Sequence, residues 1–182
     1  MMGLIVCFAY TLLPARSLAA QAGPRIILIR HGEKPADAQN PHLSPAGVRR
    51  AQTLVTFVTH DPAIAGPGLP VAIFATRTTH DGDGQRTQET VTPLARTLHL
   101  AVQAPFHGSE YARLARAILS DRALAGKTIL ICWNHEEIPQ LAAALGVRPE
   151  PRKWKDGNFD QVDIITYHKG RARLAITRYG AP

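Results

Sequence analysis

Three short stretches of this chain carry side chains suited to handling a phosphoryl group. Arg30 and His31 stand together at the end of an apolar run, Arg86 opens the polar stretch Arg86-Thr87-Gln88-Glu89-Thr90, and His135, with Glu136 beside it, follows another apolar run. A phosphoryl group in transfer spreads negative charge over its equatorial oxygens, so surrounding it with cations and donors is most of the catalysis. Guanidinium is permanently charged and grips two oxygens at once, which assigns Arg30 and Arg86 to the phosphate ahead of a nearby lysine. An imidazole that titrates near neutrality is a competent nucleophile toward phosphorus and gives an N-phosphorylated intermediate that water then cleaves. His31 is the candidate for that role, and the chemistry requires neither a metal nor a cofactor.

The elements that must position these groups are legible from pattern. Arg25-Ile26-Ile27-Leu28-Ile29-Arg30 is a short β-branched run that predicts a buried strand, followed at once by a glycine-containing loop. Ser44-Pro45 supplies a capping side chain and a proline for the first turn, and Val48, Ala51, Leu54, Val55 and Val58 follow at helical spacing, predicting a helix that ends near His60. Val71 to Ala75 predicts a second strand, a polar loop from Thr76 to Gln85 leads to a helix near Arg86 to Leu98, and His107 to Leu124 reads as one further helix. Lys127 to Cys132 is a third strand, Glu136 to Leu145 a helix closed by Gly146, and Gln161–His168 with Arg171–Arg178 a terminal hairpin turning at Lys169-Gly170. Alternating strands and helices imply an α/β fold of three layers, α/β/α, its sheet mostly parallel with an antiparallel C-terminal hairpin. Ligands of such sheets bind beyond the carboxyl ends of the strands, so the loops after Arg30, Ala75 and Cys132 are where chemistry should gather.

In this context the loop Arg30-His31-Gly32-Glu33 resembles the histidine phosphatase superfamily, also called phosphoglycerate mutase-like, whose hallmark is Arg-His-Gly at a strand end. The capped helix beginning Leu43-Ser44-Pro45-Ala46-Gly47, the Arg86-to-Thr90 element and a second histidine after a strand at His135 stand in the family's order from Arg25 to Gly146. The resemblance implies a phosphoglycerate mutase-like fold, a phosphohistidine intermediate on His31, and a phosphate held by Arg30, Gly32, Arg86 and His135. Histidine 135 would then be a pocket cation or hydrogen-bond donor and not a metal ligand. Glu136 is the first choice for protonating the leaving alkoxide, because an acidic residue follows the second histidine in the acid phosphatase and phytase branch; Glu110 is the fallback. The substrate would be a phosphorylated small molecule or a phosphoprotein. A phosphomutase is the less favoured enzyme reading, since no extended insertion lies between Arg86 and His135, and a non-catalytic phosphate-binding module is the rival from outside enzymology.

Composition sets the remaining bounds. The 182 residues suit one domain, and 45% apolar against 19% charged residues allow a sizeable core. A formal charge of +7 favours anionic partners. No basic run with interleaved aromatics points to nucleic acid. Cys132 reads as a small buried hydrophobe, His80-Asp81-Gly82-Asp83-Gly84 as a rim loop lacking the later glutamate of a calcium site, and Trp154 and Phe159 as packing the hairpin onto the body, with lining of the substrate mouth as their alternative role. Residues 1–22 form an apolar segment, Gly3 to Leu13, followed by small residues that would suit a signal peptidase, although no Lys or Arg precedes the run. The mature domain would be 23–182, secreted or periplasmic if the segment is removed, otherwise cytoplasmic. The run falls short of the roughly 20 residues a stable membrane span needs.

Overall fold

The computed structural model describes residues 23–37 and 39–180. The expectations for the N-terminal segment lie outside the described residues. Strand β1 (Arg25–Arg30) is followed by helices α1 (Pro45–His60) and α2 (Pro62–Ala65), then by β2 (Ala72–Ala75), α3 (Gln85–Thr97) and β3 (Val102–Gln103). Helix α4 (Tyr111–Ser120), β4 (Thr128–Trp133), α5 (Ile138–Ala144) and the strands β5 (Gln161–His168) and β6 (Arg171–Arg178) complete the domain. The six strands form one sheet in the order β3-β2-β4-β1-β5-β6. The first four are mutually parallel and the last two antiparallel. The expected α/β/α architecture with its antiparallel hairpin is therefore present.

Period-two alternation in the central strands explains the layers. Ile27, Ile29, Leu130 and Cys132 point to the face covered by Leu54 and Val58 of α1, Ile64 of α2, and Val91 and Leu94 of α3. Ile26, Leu28, Ile129, Ile131 and Trp133 point to the opposite face, covered by Leu114 and Ile118 of α4 and Ile138 and Leu141 of α5. Strands buried on both faces must be apolar throughout, and β1 and β4 are. Burial also pushes the Cys132 thiol well above its ordinary range, which fits a core residue and not a nucleophile.

Local chemistry sets the helix starts. Ser44 caps α1, its Oγ accepting from the Gly47 N–H at 3.1 Å, with Pro45 in the first turn. Gly146, at φ 98°, ends the turn after α5 in the left-handed region. One expectation needs correction: residues 107–124 are not a single helix. Gly108–Glu110 forms a 3₁₀ turn closed by a His107–Glu110 capping box, α4 stops at Ser120, and Asp121 caps a second 3₁₀ turn at Arg122–Leu124. Among the described residues no helix is long and apolar enough to cross a membrane.

Parallel pairing of β1 with β4 aligns Arg30 with Trp133, and β4 with β2 aligns Cys132 with Ala75. The segments that follow these three strands consequently leave the sheet at the same edge.

Candidate active site

At that edge His31 and His135, both buried, stand with ring centroids 6.2 Å apart and planes at 82°. His31 Nδ1 donates to the carbonyl of Gly32 at 2.7 Å. A carbonyl can only accept, so the proton sits on Nδ1 and the lone pair is left on Nε2. Burial, joined by the charges of Arg30, Arg86 and His135, pulls the His31 pKa down to about 4 against the opposing effect of the Gly32 bond. The imidazole is thus neutral at physiological pH, as a nucleophile must be.

Arg30 is buried as well, which lowers its pKa to about 10 and leaves it charged. Its guanidinium lies 4.0 Å over the Phe159 ring, and Nη1 donates to the carbonyls of Lys155, Asp156 and Asn158. Nε is buried without a partner among the described residues. Arg86, on the first turn of α3, sends Nη1 to the Asn40 carbonyl at 2.9 Å. The rest of its stretch fixes neighbouring segments. Thr90 Oγ1 accepts from the Gly32 N–H at 2.8 Å, Gln88 donates to the Thr76 carbonyl, and Glu89 accepts from His42 Nδ1 and the Leu43 N–H. The structure therefore gathers Arg30, His31, Arg86 and His135 around one position.

The Gly32 N–H donates to Thr90 Oγ1, and a side chain at Gly32 would come within 3.0 Å of the Gly47 backbone, so this glycine lets the loop pass close to α1. The carboxylates separate clearly. Glu136 is exposed, with Oε2 3.7 Å from His135 Nδ1. Glu110 accepts from the His107 N–H and pairs with Arg113. Glu33 accepts from Nε and Nη2 of the buried Arg50 at 2.8 and 2.6 Å, an ion pair that braces the His31 loop against α1.

The segment from Lys153 to Phe159 contributes what the sequence did not signal. Trp154 is core, as expected, and its Nε1 donates to the Asn158 carbonyl at 2.7 Å, closing the loop on itself. Phe159, expected to pack the hairpin, instead faces Arg30 and lies 6.3 Å from His31. Beyond it opens a cavity of about 520 Å³ lined by Arg50, Lys155, Asp160 and Arg178 among others. Asp156 places Oδ1 3.2 Å from His135 Nε2. Proximity to Arg30 alone could have suggested none of these residues, because they lie far from it in sequence on a loop without periodicity. Among the described residues no group of three or more His, Cys, Asp or Glu side chains could hold a metal ion.

No protein-family model matches this chain, and no curated protein sequence does. Solved structures do. A mycobacterial glucosyl-3-phosphoglycerate phosphatase, solved with inorganic phosphate, superposes with a TM-score of 0.60 at 15% identity, covering 87% of this chain and 99% of its own. The alpha-ribazole phosphatase of Shigella flexneri gives 0.58 at 18% identity, over 85% and 96%. A phosphoserine phosphatase variant from Entamoeba histolytica, in complex with phosphoserine, gives 0.57 at 14%, over 86% and 97%. The chain is similar to these proteins along nearly their whole length, and its fold is the phosphoglycerate mutase-like one.

Proposed function

We propose that this protein is a histidine phosphatase that hydrolyses phosphomonoesters or phosphorylated protein side chains through a phosphohistidine intermediate on His31. The observation that carries the reading is the His31 tautomer. A neutral imidazole with its proton committed to the Gly32 carbonyl offers Nε2 as a nucleophile, and two guanidinium groups and a second imidazole surround it. In the first step the Nε2 lone pair attacks phosphorus while Arg30 and Arg86 hold the equatorial oxygens and His135 donates to one of them. In the second, water attacks the phosphohistidine and releases inorganic phosphate. The leaving oxygen needs a proton, and two carboxylates, Glu136 and Asp156, stand against His135. The fold's occurrence in phosphatases of small phosphorylated metabolites supports the substrate class, a phosphorylated small molecule or phosphoprotein.

A purified sample, given a panel of phosphorylated metabolites and phosphopeptides, should release phosphate from some of them. It should also form an acid-labile phosphoenzyme when quenched during turnover. His31→Ala should lose both. Full turnover by His31→Ala on an aryl phosphate would end the proposal, and binding with neither product nor phosphoenzyme would leave only a phosphate-recognition module. Export through removal of residues 1–22 belongs to the same proposal, and N-terminal sequencing of the extracellular product tests it.

A further inference from the structure

We propose that Asp156 is the proton donor to the leaving group, an inference that rests on the phosphatase reading above. Its main chain is fastened to the phosphate-binding machinery: the Asp156 carbonyl accepts from Arg30 Nη1 at 2.5 Å, within a loop that Trp154 anchors in the core. From this anchor the side chain reaches across to His135, whose Nε2–H donates to Asp156 Oδ1 at 3.2 Å. The other ring nitrogen of His135, Nδ1, is buried and has no hydrogen-bond partner among the described residues. Nε2 is therefore the edge of the ring that a phosphoryl oxygen can reach, and Asp156 already stands at it. Glu136 approaches only Nδ1, and at 3.7 Å.

In the free protein the Asp156 carboxylate is the largest attractive charge acting on Arg30, and it is also hydrogen-bonded to His135. An incoming phosphoryl dianion takes over the contacts of Arg30 and His135 and adds a like charge beside the carboxylate. Asp156 delivers its proton as the neutral acid in that complex. When the Nε2 lone pair of His31 forms the N–P bond, the P–O bond to the leaving group breaks with its electron pair on oxygen. The Asp156 proton passes to that oxygen, leaving the alcohol and an ionised Asp156. In the second half Asp156 takes a proton from the attacking water. The new O–P bond forms, the P–N bond breaks with its electrons returning to Nε2, and Asp156 is neutral again.

The test uses the full-length protein and a series of phosphate monoesters running from acidic phenols to simple alcohols. Asp156→Asn should turn over the aryl esters within several-fold of the parent and lose ~10²–10⁴-fold on the alkyl esters, so the dependence on leaving-group pKa steepens. Glu136→Gln should keep the parental dependence. A shift of melting temperature by inorganic phosphate, retained in Asp156→Asn, establishes that the variant is folded with its cradle intact. Equal slowing of all esters by Asp156→Asn, faster turnover of all of them, or steepening in Glu136→Gln would overturn the assignment. If His31→Ala is inactive while Asp156→Asn shows no steepening, only the role of Asp156 falls. If His31→Ala remains active, the phosphatase reading falls with it.

Discussion

His31 combines two features that neither its neighbours in sequence nor its residue type foretell. Arg30-His31-Gly32 nominates a nucleophile only together with the strand before it, the capped helix after it, Arg86 and His135. The His31 protonation state depends on a buried position and on Arg86 and His135, which arrive from two other segments of the chain. Burial and three cations outweigh the Gly32 hydrogen bond, so the imidazole should titrate near pH 4 instead of near its ordinary 6.5. An NMR titration of the His31 ring, assigned by comparison with His31→Asn, should show the neutral Nδ1–H form from pH 8 down to about 5. Arg86→Gln should move the midpoint upward by removing one of the cations. A parental midpoint above 6 would mean that the ring is solvated and the cradle is not assembled as described. At this scale four candidate residues were readable because each ends or follows a strand or starts a helix, places where sequence pattern is strong. Asp156, Phe159 and Arg50 were not, since their relation to the site depends on how a loop and a helix face fold back upon it.

The same contrast holds for whole elements. Helix α1 was legible from end to end, because Ser44-Pro45 is a local signal and its apolar face repeats at helical spacing. The four residues of α2 and the two of β3 are too short to show any period, and the 107–124 segment broke where Gly108 and Asp121 interrupt it. What pattern could not reveal is how closely α1 and the His31 loop approach each other. A Cβ on Gly47 would lie 2.5 Å from the Glu33 carbonyl oxygen and 2.9 Å from its nitrogen, both backbone atoms that cannot rotate aside. Replacing a helical glycine by alanine ordinarily stabilises by roughly 1 kcal/mol. Here Gly47→Ala should do the opposite, costing about 1–3 kcal/mol as expected of overpacking. Urea unfolding measures that change. Because the displaced segment carries His31, the phosphoenzyme yield should also fall, whereas a relief of strain confined to α1 would lower stability and leave the yield intact.

Across the whole molecule the chain winds outward from β1 to β2 and β3, then returns to insert β4 between β2 and β1. This insertion makes neighbours of the His31 and His135 loops. Five of the six strands and the mixed sheet were legible in the sequence, but their spatial order is decided by which apolar faces pack best, a property no single segment carries. Adding the hairpin to the far side of β1 places a carboxylate in the body of the sheet: Asp163, opposite Leu28, is 1% exposed and accepts one hydrogen bond from Gln161. Burial pushes its pKa from 3.8 up to about 6. Between those values the folded protein binds more protons at Asp163 than the unfolded chain does, so this residue makes stability fall as pH rises. His31 has the reverse effect. Its folded pKa of about 4 lies below 6.5, so the unfolded chain binds more protons in that window and stability rises with pH. The two windows overlap, and the parental protein should show little net change in stability from pH 4 to 6.5. Asp163→Asn keeps the acceptor oxygen for Gln161 but removes the titration. It should unfold at about the same urea concentration as the parent near pH 3.5 and gain up to about 3 kcal/mol by pH 7, the equivalent of roughly two pKa units. Its stability should also climb steeply between pH 4 and 6.5, exposing the contribution of His31 that Asp163 masks. Identical urea midpoints for parent and variant at pH 7 would show that the carboxylate is solvated in the folded state, contrary to its buried place on β5 between β1 and β6.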